Sequence, residues 1–433
     1  MPDRRAPQTA PRTERPGRKA STVTATTGDT APHARPRSTP SGPFAWLSGA
    51  AERRAASGLT RVLRPRAHDD DVLDLASNDY LGLARRRRVT DAAAGAARRW
   101  GAGATGSRLV TGDTLLHRAL EEELADFTGA ESALVFSSGY AANLAMVTAL
   151  SGRGAHLVCD RLNHASLIDA ARLAKASGAR VSLFDHADPA SAERALHGPD
   201  PAGSERRLVV SDTVFSVDGD LTDLSGLSAA CRAAGAALLL DDAHGLGVVG
   251  AGGAGAPTAA GLRGAPDTAV SVTLSKSLGA QGGAVLGPAP VIRHLVETAR
   301  TFIFDTGLAP ASTGAALEAL RLLRADPGLT ERLRERARSL SRGLAGHGLR
   351  ASLPDGAVVS VAADTPEECV QWARRCAEHG VRVGCFRPPS VPDGVPRLRL
   401  TARADLSASE VDRAIDTVAR TRPKGPDGPA PVS

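Results

Sequence analysis

The sequence predicts an α/β protein: a large domain around a mainly parallel central sheet, followed by a smaller C-terminal α+β domain. Two observations carry this. Between residues 156 and 287 short apolar runs recur, and Ala/Leu/Arg-rich helical segments separate several of them. Beyond about residue 325 the rhythm changes to one long charged helix followed by shorter runs. Runs apolar on both faces and spaced by helices belong to strands buried in a parallel sheet.

Residues 1–42 are rich in Pro, Thr, Ser and Arg without hydrophobic periodicity, so they are expected to be a disordered basic tail. Their prolines oppose the amphipathic helix of an organelle transit peptide. Residues 1–45 hold eight basic and three acidic side chains, so +5 of the net +6 sits there. The remaining body is close to neutral, which leaves a nucleic-acid-binding reading without the basic face it needs.

Residues 43–84 are expected to form an N-terminal helix and strand segment, 85–325 the large domain and 326–420 the small one. Residues 421–433 read as a second disordered tail. In the large domain "HLVCD" (156–160), "RVSLF" (180–184), "RLVVSD" (207–212), "ALLLDD" (237–242), "TAVSVT" (268–273) and "GAVLG" (283–287) predict strands, with helices at 165–177 and 224–234 among the connections. The small domain opens with a helix at 328–348. "VVSVAA", a helix near 365–379, "VRVGCF", "RLRLTA" and a last helix near 407–420 follow.

Five cysteines occur without CxxC spacing, so neither zinc nor any other metal is expected. No apolar run approaches the length of a membrane span. A reduced, cytoplasmic protein that binds neither membrane nor nucleic acid is the expectation.

Ligands of open α/β sheets bind beyond the carboxyl ends of the strands. After the run at 156–159 comes Asp160, then His164; after 207–210 come Asp212 and Ser216. After 237–240 comes "DDAHG", with Asp241 and His244; after 268–272 come Thr273 and Lys276. In "VFSSGYAAN" (135–143) a strand ends at Phe136 and a helix begins near Tyr140, so Gly139 and its neighbours offer backbone N–H groups to an anion. Each feature alone has a plain structural reading: a helix-capping Asp, a loop His, an exposed turn lysine, a tight turn. Their joint occurrence shifts the balance.

Four lysines, Lys19, Lys175, Lys276 and Lys424, stand among 53 basic residues. Arginine serves wherever charge alone is needed, but only lysine can lose its proton and act as a nucleophile. Two of the four lie in tails and Lys175 on a helix, leaving Lys276 as the residue able to bond an aldehyde. A reactive lysine, a carboxylate, a ring-stacking histidine and an anion cradle together suit pyridoxal 5'-phosphate.

From roughly residue 50 to 420 the sequence is similar to the α-oxoamine synthase family of fold-type I pyridoxal-phosphate enzymes. The motifs are "LASNDYLGL" (75–83), "GAGATGSRLVTGDTLLHRALEEELA" (101–125), "FSSGYAAN" (136–143), "DRLNHASLIDA" (160–170), "DTVFSVDGD" (212–220), "DDAHGLGVVG" (241–250), "TLSKSLGAQGG" (273–283) and "CFRPPSVPDGVPRLRLTARA" (385–404). The resemblance implies that Lys276 binds the cofactor covalently and later moves a Cα proton. It implies that Asp241 pairs with the ring nitrogen, His164 stacks on the ring, and His244 and Ser216 sit near its phenolic oxygen. Gly139, Tyr140 and Thr273 would hold the phosphate, with Thr306 reaching in from a second subunit of a homodimer. Asn78 would line the substrate side and Arg399 would bind the amino-acid carboxylate.

"FRPPSVP" (386–392) resembles the branch that condenses L-alanine with a pimeloyl thioester, on coenzyme A or an acyl carrier protein, in biotin synthesis. There Arg387 and Ser390 would lie beside the acyl chain. Thr60 stands where several members carry an arginine for the acyl carboxylate, which makes Arg61 the neighbouring candidate. Asp212 stands where many members carry Glu. The alternative is a sister synthase, such as a glycine-dependent 2-amino-3-oxobutyrate ligase (glycine C-acetyltransferase).

Overall fold

The computed structural model describes residues 42–57, 59–199, 203–388, 391 and 393–423. Nearly all of the two expected tails therefore lies outside the described residues. The chain divides into two compact units, up to Arg66 and from Ala67 onward. In the first, helix Trp46–Ala56 places Arg53 and Arg54 in its last turn, where cations suit the helix dipole.

The second unit opens with β1 (Leu73–Asp74). Next come β2 (Ser132–Phe136), β3 (Ala155–Asp160), β4 (Arg180–Phe184), β5 (Arg206–Asp212), β6 (Ala237–Asp241), β7 (Thr268–Thr273) and β8 (Gly283–Gly287). These form a seven-stranded sheet in the order β2-β8-β7-β6-β5-β3-β4. The strands β3 to β7 pair in parallel, while β8 runs antiparallel to both β7 and β2. The carboxyl ends of β2, β5, β6 and β7 thus share one edge with the amino end of β8. That edge positions the site.

Strand side chains alternate faces, and here both faces are buried. Ala133 and Val135 of β2, Val209 of β5, and Leu238 and Leu240 of β6 enter one core. Leu134, Phe136, Leu208, Val210 and Leu239 enter the other, beneath helices Gly139–Leu150 and Ala165–Ala176. This is why those runs read as continuously apolar.

The remaining strands are β9 (Val358–Ala362), β10 (Val381–Arg382), β11 (Gly384–Phe386) and β12 (Arg397–Thr401). An antiparallel sheet β11-β12-β9 packs against helices Gly328–Gly346 and Pro366–Glu378. Trp372, fully buried, ties the second of these to helix Ala408–Thr421 through Nε1–H donating to the Val418 carbonyl at 2.8 Å. A capping box between Ser407 and Glu410 starts that last helix. The pair β1-β10 is parallel. Among the described residues no helix is long and apolar enough to cross a membrane.

His186, just beyond β4, clamps the end of β3 to the loop that follows β5. Its Nδ1 lies 3.3 Å from Asp160 and its Nε2 2.8 Å from Asp220, and the ring packs edge-on against Phe215. The hydrogen bonds to Asp160 and Asp220 raise its pKa from 6.5 to about 10. Because the folded value is raised, the clamp's contribution to stability is complete below pH 6.5 and disappears as pH rises through about 10. Thermal unfolding followed across that range should show the wild-type Tm falling further than that of a His186→Gln variant, by at least about 2 °C. Parallel Tm profiles would show that the clamp carries no charge.

Candidate active site

Asp241 ends β6, and the parallel register sets it beside Asp212 at the end of β5. Both side chains are buried. Asp241 accepts from Asn143 Nδ2 at 2.6 Å on Oδ2 and from the Ala243 N–H at 3.0 Å on Oδ1. Asn143 is fully employed: Nδ2 also donates to Ser166 Oγ at 2.8 Å, and its Oδ1 accepts from the Ser271 hydroxyl. A carboxylate held this way has one orientation. Asp212 Oδ2 accepts the His164 N–H at 2.7 Å, and burial together with neighbouring Asp241 pushes its pKa well above the carboxylate range.

His164 caps helix Ala165–Ala176, with Nδ1 2.7 Å from Ser166 Oγ, and leaves its ring exposed. The desolvation it does experience lowers its pKa, against the pull of Asp241. Lys276 sits in the turn after β7, with Nζ 2.9 Å from His244 Nε2. Burial lowers the ammonium to about 8, with Asp241 and Asp212 opposing and Arg399 assisting. Burial, then Lys276 and Arg399, hold His244 well below the usual imidazole range, so it is neutral.

The same edge carries an anion cradle. Helix Gly139–Leu150 starts there, capped by Ser138, whose Oγ accepts from the Ala141 N–H at 3.1 Å. The first N–H groups of a helix have no partner within it. A Cβ on Gly139 would lie 3.2 Å from Thr273 Cβ and Oγ1, and one on Gly283 only 2.5 Å from Gly139 Cα. The turn therefore closes only with glycine at 283. Gly283→Ala should cost about 1–3 kcal/mol of stability through overpacking and weaken phosphate-bearing ligands. A denaturant melt and a cofactor titration check this; wild-type values in both would mean the turn gives way freely.

A cleft of about 250 Å³ collects Gly139, His164, Asp241, His244, Thr273 and Lys276. Beside it, Arg399 of β12 is buried, its Nε donating to the Ser216 carbonyl at 2.6 Å and its Nη1 to Asn78 Oδ1 at 2.9 Å. Its Nη2 is buried with no protein partner. A buried guanidinium nitrogen left unpaired is costly, and a carboxylate is the natural acceptor. Amine, oriented carboxylate, exposed imidazole ring and glycine-built cradle together fit pyridoxal phosphate.

The sequence matches the family profile described as "Aminotransferase class I and II" over residues 70–418. It is 54% identical over 369 residues to the 8-amino-7-oxononanoate synthase of Mycolicibacterium gilvum, covering 85% of this chain and 94% of that protein. The chain belongs to the 8-amino-7-oxononanoate synthase family. The enzyme of that name from Mycobacterium bovis is 53% identical over 372 residues, 86% of this chain and 94% of its own. A serine palmitoyltransferase from S. paucimobilis, solved with a bound PLP–myriocin aldimine, superposes with a TM-score of 0.80 at 28% identity, covering 87% of this chain and 97% of that one.

In this member of the 8-amino-7-oxononanoate synthase family the cleft brings together Lys276, His164, Asp241, His244, Gly139, Tyr140 and Thr273. The Tyr140 hydroxyl donates to Asp169 at 2.6 Å, so its backbone N–H is the group left for an anion. Ser216 and Asn78 join Arg399 in the adjoining cluster. Arg387 is half-buried just beyond β11, and Thr306 is exposed and not among the residues lining this chain's cleft. Arg61 is exposed in irregular backbone of the first unit, and Ser390 lies outside the described residues.

Two site residues escaped the sequence reading: Asn143, which orients Asp241, and Tyr80, whose hydroxyl lies 2.5 Å from His244 Nδ1. One signal was available. The chain has only two tyrosines, and both lie at this site.

Proposed function

We propose that this protein condenses L-alanine with a pimeloyl thioester, releasing CO2 and the free thiol carrier and forming 8-amino-7-oxononanoate for biotin synthesis, with pyridoxal phosphate as cofactor. The observation that carries this reading is Lys276 Nζ, depressed to about 8 in a cleft that also holds Asp241 and the glycine cradle. When bound, pyridoxal phosphate supplies an electron sink for the carbanion at the amino acid's Cα.

The chain's own groups divide the remaining work. Backbone N–H groups of Gly139 and Tyr140, with the Thr273 hydroxyl, hold the phosphate. Asp241 keeps a proton at the ring nitrogen, and Asn143 holds Asp241 in that orientation. His164 covers one ring face; His244 and Ser216 serve the phenolic oxygen. Lys276 would hold the cofactor through its aldehyde carbon, and its Nζ, once free, would take the Cα proton of alanine. Arg399, through the unpaired Nη2, binds the alanine carboxylate beside Asn78. Arg387 and Ser390 are the candidates for binding the acyl chain, and Arg61 is the candidate for its distal carboxylate. The protein works as a cytoplasmic homodimer whose Thr306 completes the partner's phosphate site, and takes its acyl group from coenzyme A or an acyl carrier protein.

The test is product identification. Holoenzyme given alanine and pimeloyl-CoA, or a pimeloyl carrier protein, should yield 8-amino-7-oxononanoate, and glycine should not substitute. Turnover with glycine and none with alanine would overturn the assignment in favour of a sister synthase.

A further inference from the structure

Tyr80 has no assigned role, yet it occupies the end of a buried chain of polar groups. The side chain is completely buried, between β1 and helix Arg87–Trp100 in the sequence. Its hydroxyl lies 2.5 Å from His244 Nδ1, and His244 Nε2 lies 2.9 Å from Lys276 Nζ. Its other neighbour, Asn78 Oδ1, is 3.4 Å away and already accepts from Arg399 Nη1 at 2.9 Å.

Those distances decide where the protons are. If His244 carried its proton on Nδ1 and donated to the phenol, the phenol's own proton would have to go to Asn78 Oδ1, at the limit of hydrogen bonding and shared with Arg399. If the phenol donates to Nδ1, every donor has a close acceptor. A neutral imidazole whose Nδ1 accepts must carry its proton on Nε2. That N–H then points at Lys276 Nζ and finds an acceptor only when the amine is uncharged. An ammonium there would face a second donor.

We infer that Tyr80 is a positioning residue: by donating to Nδ1 it fixes His244 in the tautomer protonated at Nε2, and this biases Lys276 towards the uncharged amine that adds to an aldehyde. The inference rests on the reading of Lys276 given above. It adds a directional term to the other groups that face Lys276. Asp241 and Asp212 favour the ammonium, Arg399 disfavours it, and His164 stands close enough to feel its charge. Of these, Arg399 also interacts with the phenol itself. Tyr80→Phe removes one oxygen and leaves every charge in place, and the same change in a His244→Ala background separates the tautomer effect from any effect through Arg399.

The experiment uses the full chain. Nitrogen-15 histidine spectra should place the His244 proton on Nε2 in the wild type and show it redistributed in Tyr80→Phe. A wild-type signal with the proton on Nδ1 would overturn the assignment. In the cofactor-free protein, the rate at which added pyridoxal phosphate becomes covalently linked should rise with pH along the Lys276 titration. Tyr80→Phe should move that midpoint upward by about one unit and slow linking near neutrality about tenfold.

An unmoved midpoint would refute the proposal. So would a shift that persists when Tyr80→Phe is made in a His244→Ala background, because Tyr80 must act through the imidazole. A covalent link formed by Lys276→Ala would instead refute the functional reading, independently of Tyr80.

Discussion

Replacing Lys276 by alanine should leave a folded protein that takes up pyridoxal phosphate without bonding it and turns over at least about 10³-fold more slowly. The fold survives because the turn at 276 is held by backbone: the Gly279 N–H donates to the Lys276 carbonyl at 2.9 Å, whatever the side chain. What disappears is the amine, and with it, on the proposed mechanism, both the covalent link and the base for the Cα proton. Absorbance of the reconstituted protein, read beside its far-ultraviolet circular dichroism, separates the two effects. A variant with unchanged absorbance of the linked cofactor would remove Lys276 from the mechanism. Lys276→Arg should fail equally, because a guanidinium retains its proton.

The second large effect is expected at Asp241. Asparagine there keeps the volume but loses the charge, and its amide meets the Asn143 Nδ2 donor that now lies 2.6 Å from Oδ2. The ring nitrogen would lose the partner that keeps it protonated, so kcat should fall by about 10²–10⁴ with little change in KM for alanine. A second readout does not depend on turnover. Asp241 raises the Lys276 pKa, so its removal should move the pH dependence of cofactor linking downward. An upward or absent shift would contradict the electrostatics of the cleft.

The central sheet was legible because its strands are buried on both faces and so appear as short unbroken apolar runs. The chemistry at its edge was legible because lysine is so rare here that Lys276 had to be explained. The direction of β8 was not legible, since "GAVLG" has the same composition whichever way it runs; only its pairing with β7 and β2 fixes it. Asn143 was hidden for a different reason. It acts from within a helix, beneath the carboxylate it orients; Asp212 was visible at its strand end, but its hold on the His164 N–H, 48 positions away, was not. Tyr80 lay inside a motif that drew attention to Asn78, and its partner His244 is 164 positions away.

The short pair β1-β10 joins Leu73 to Val381, and the Thr401 N–H donates to the Leu75 carbonyl at 2.8 Å. Leu75, fully buried in the finished protein, therefore acquires these backbone partners only after almost the whole chain has been made, as does the Tyr80 carbonyl, which accepts from the Ala404 N–H at 2.8 Å. Contacts of such separation are slow to form, and apolar segments awaiting them are prone to aggregate. During synthesis the "LASNDYLGL" segment is then left without these pairings until residues near 400 have been made. Chains that terminate before β12 should be recovered as aggregates rather than as a smaller folded enzyme.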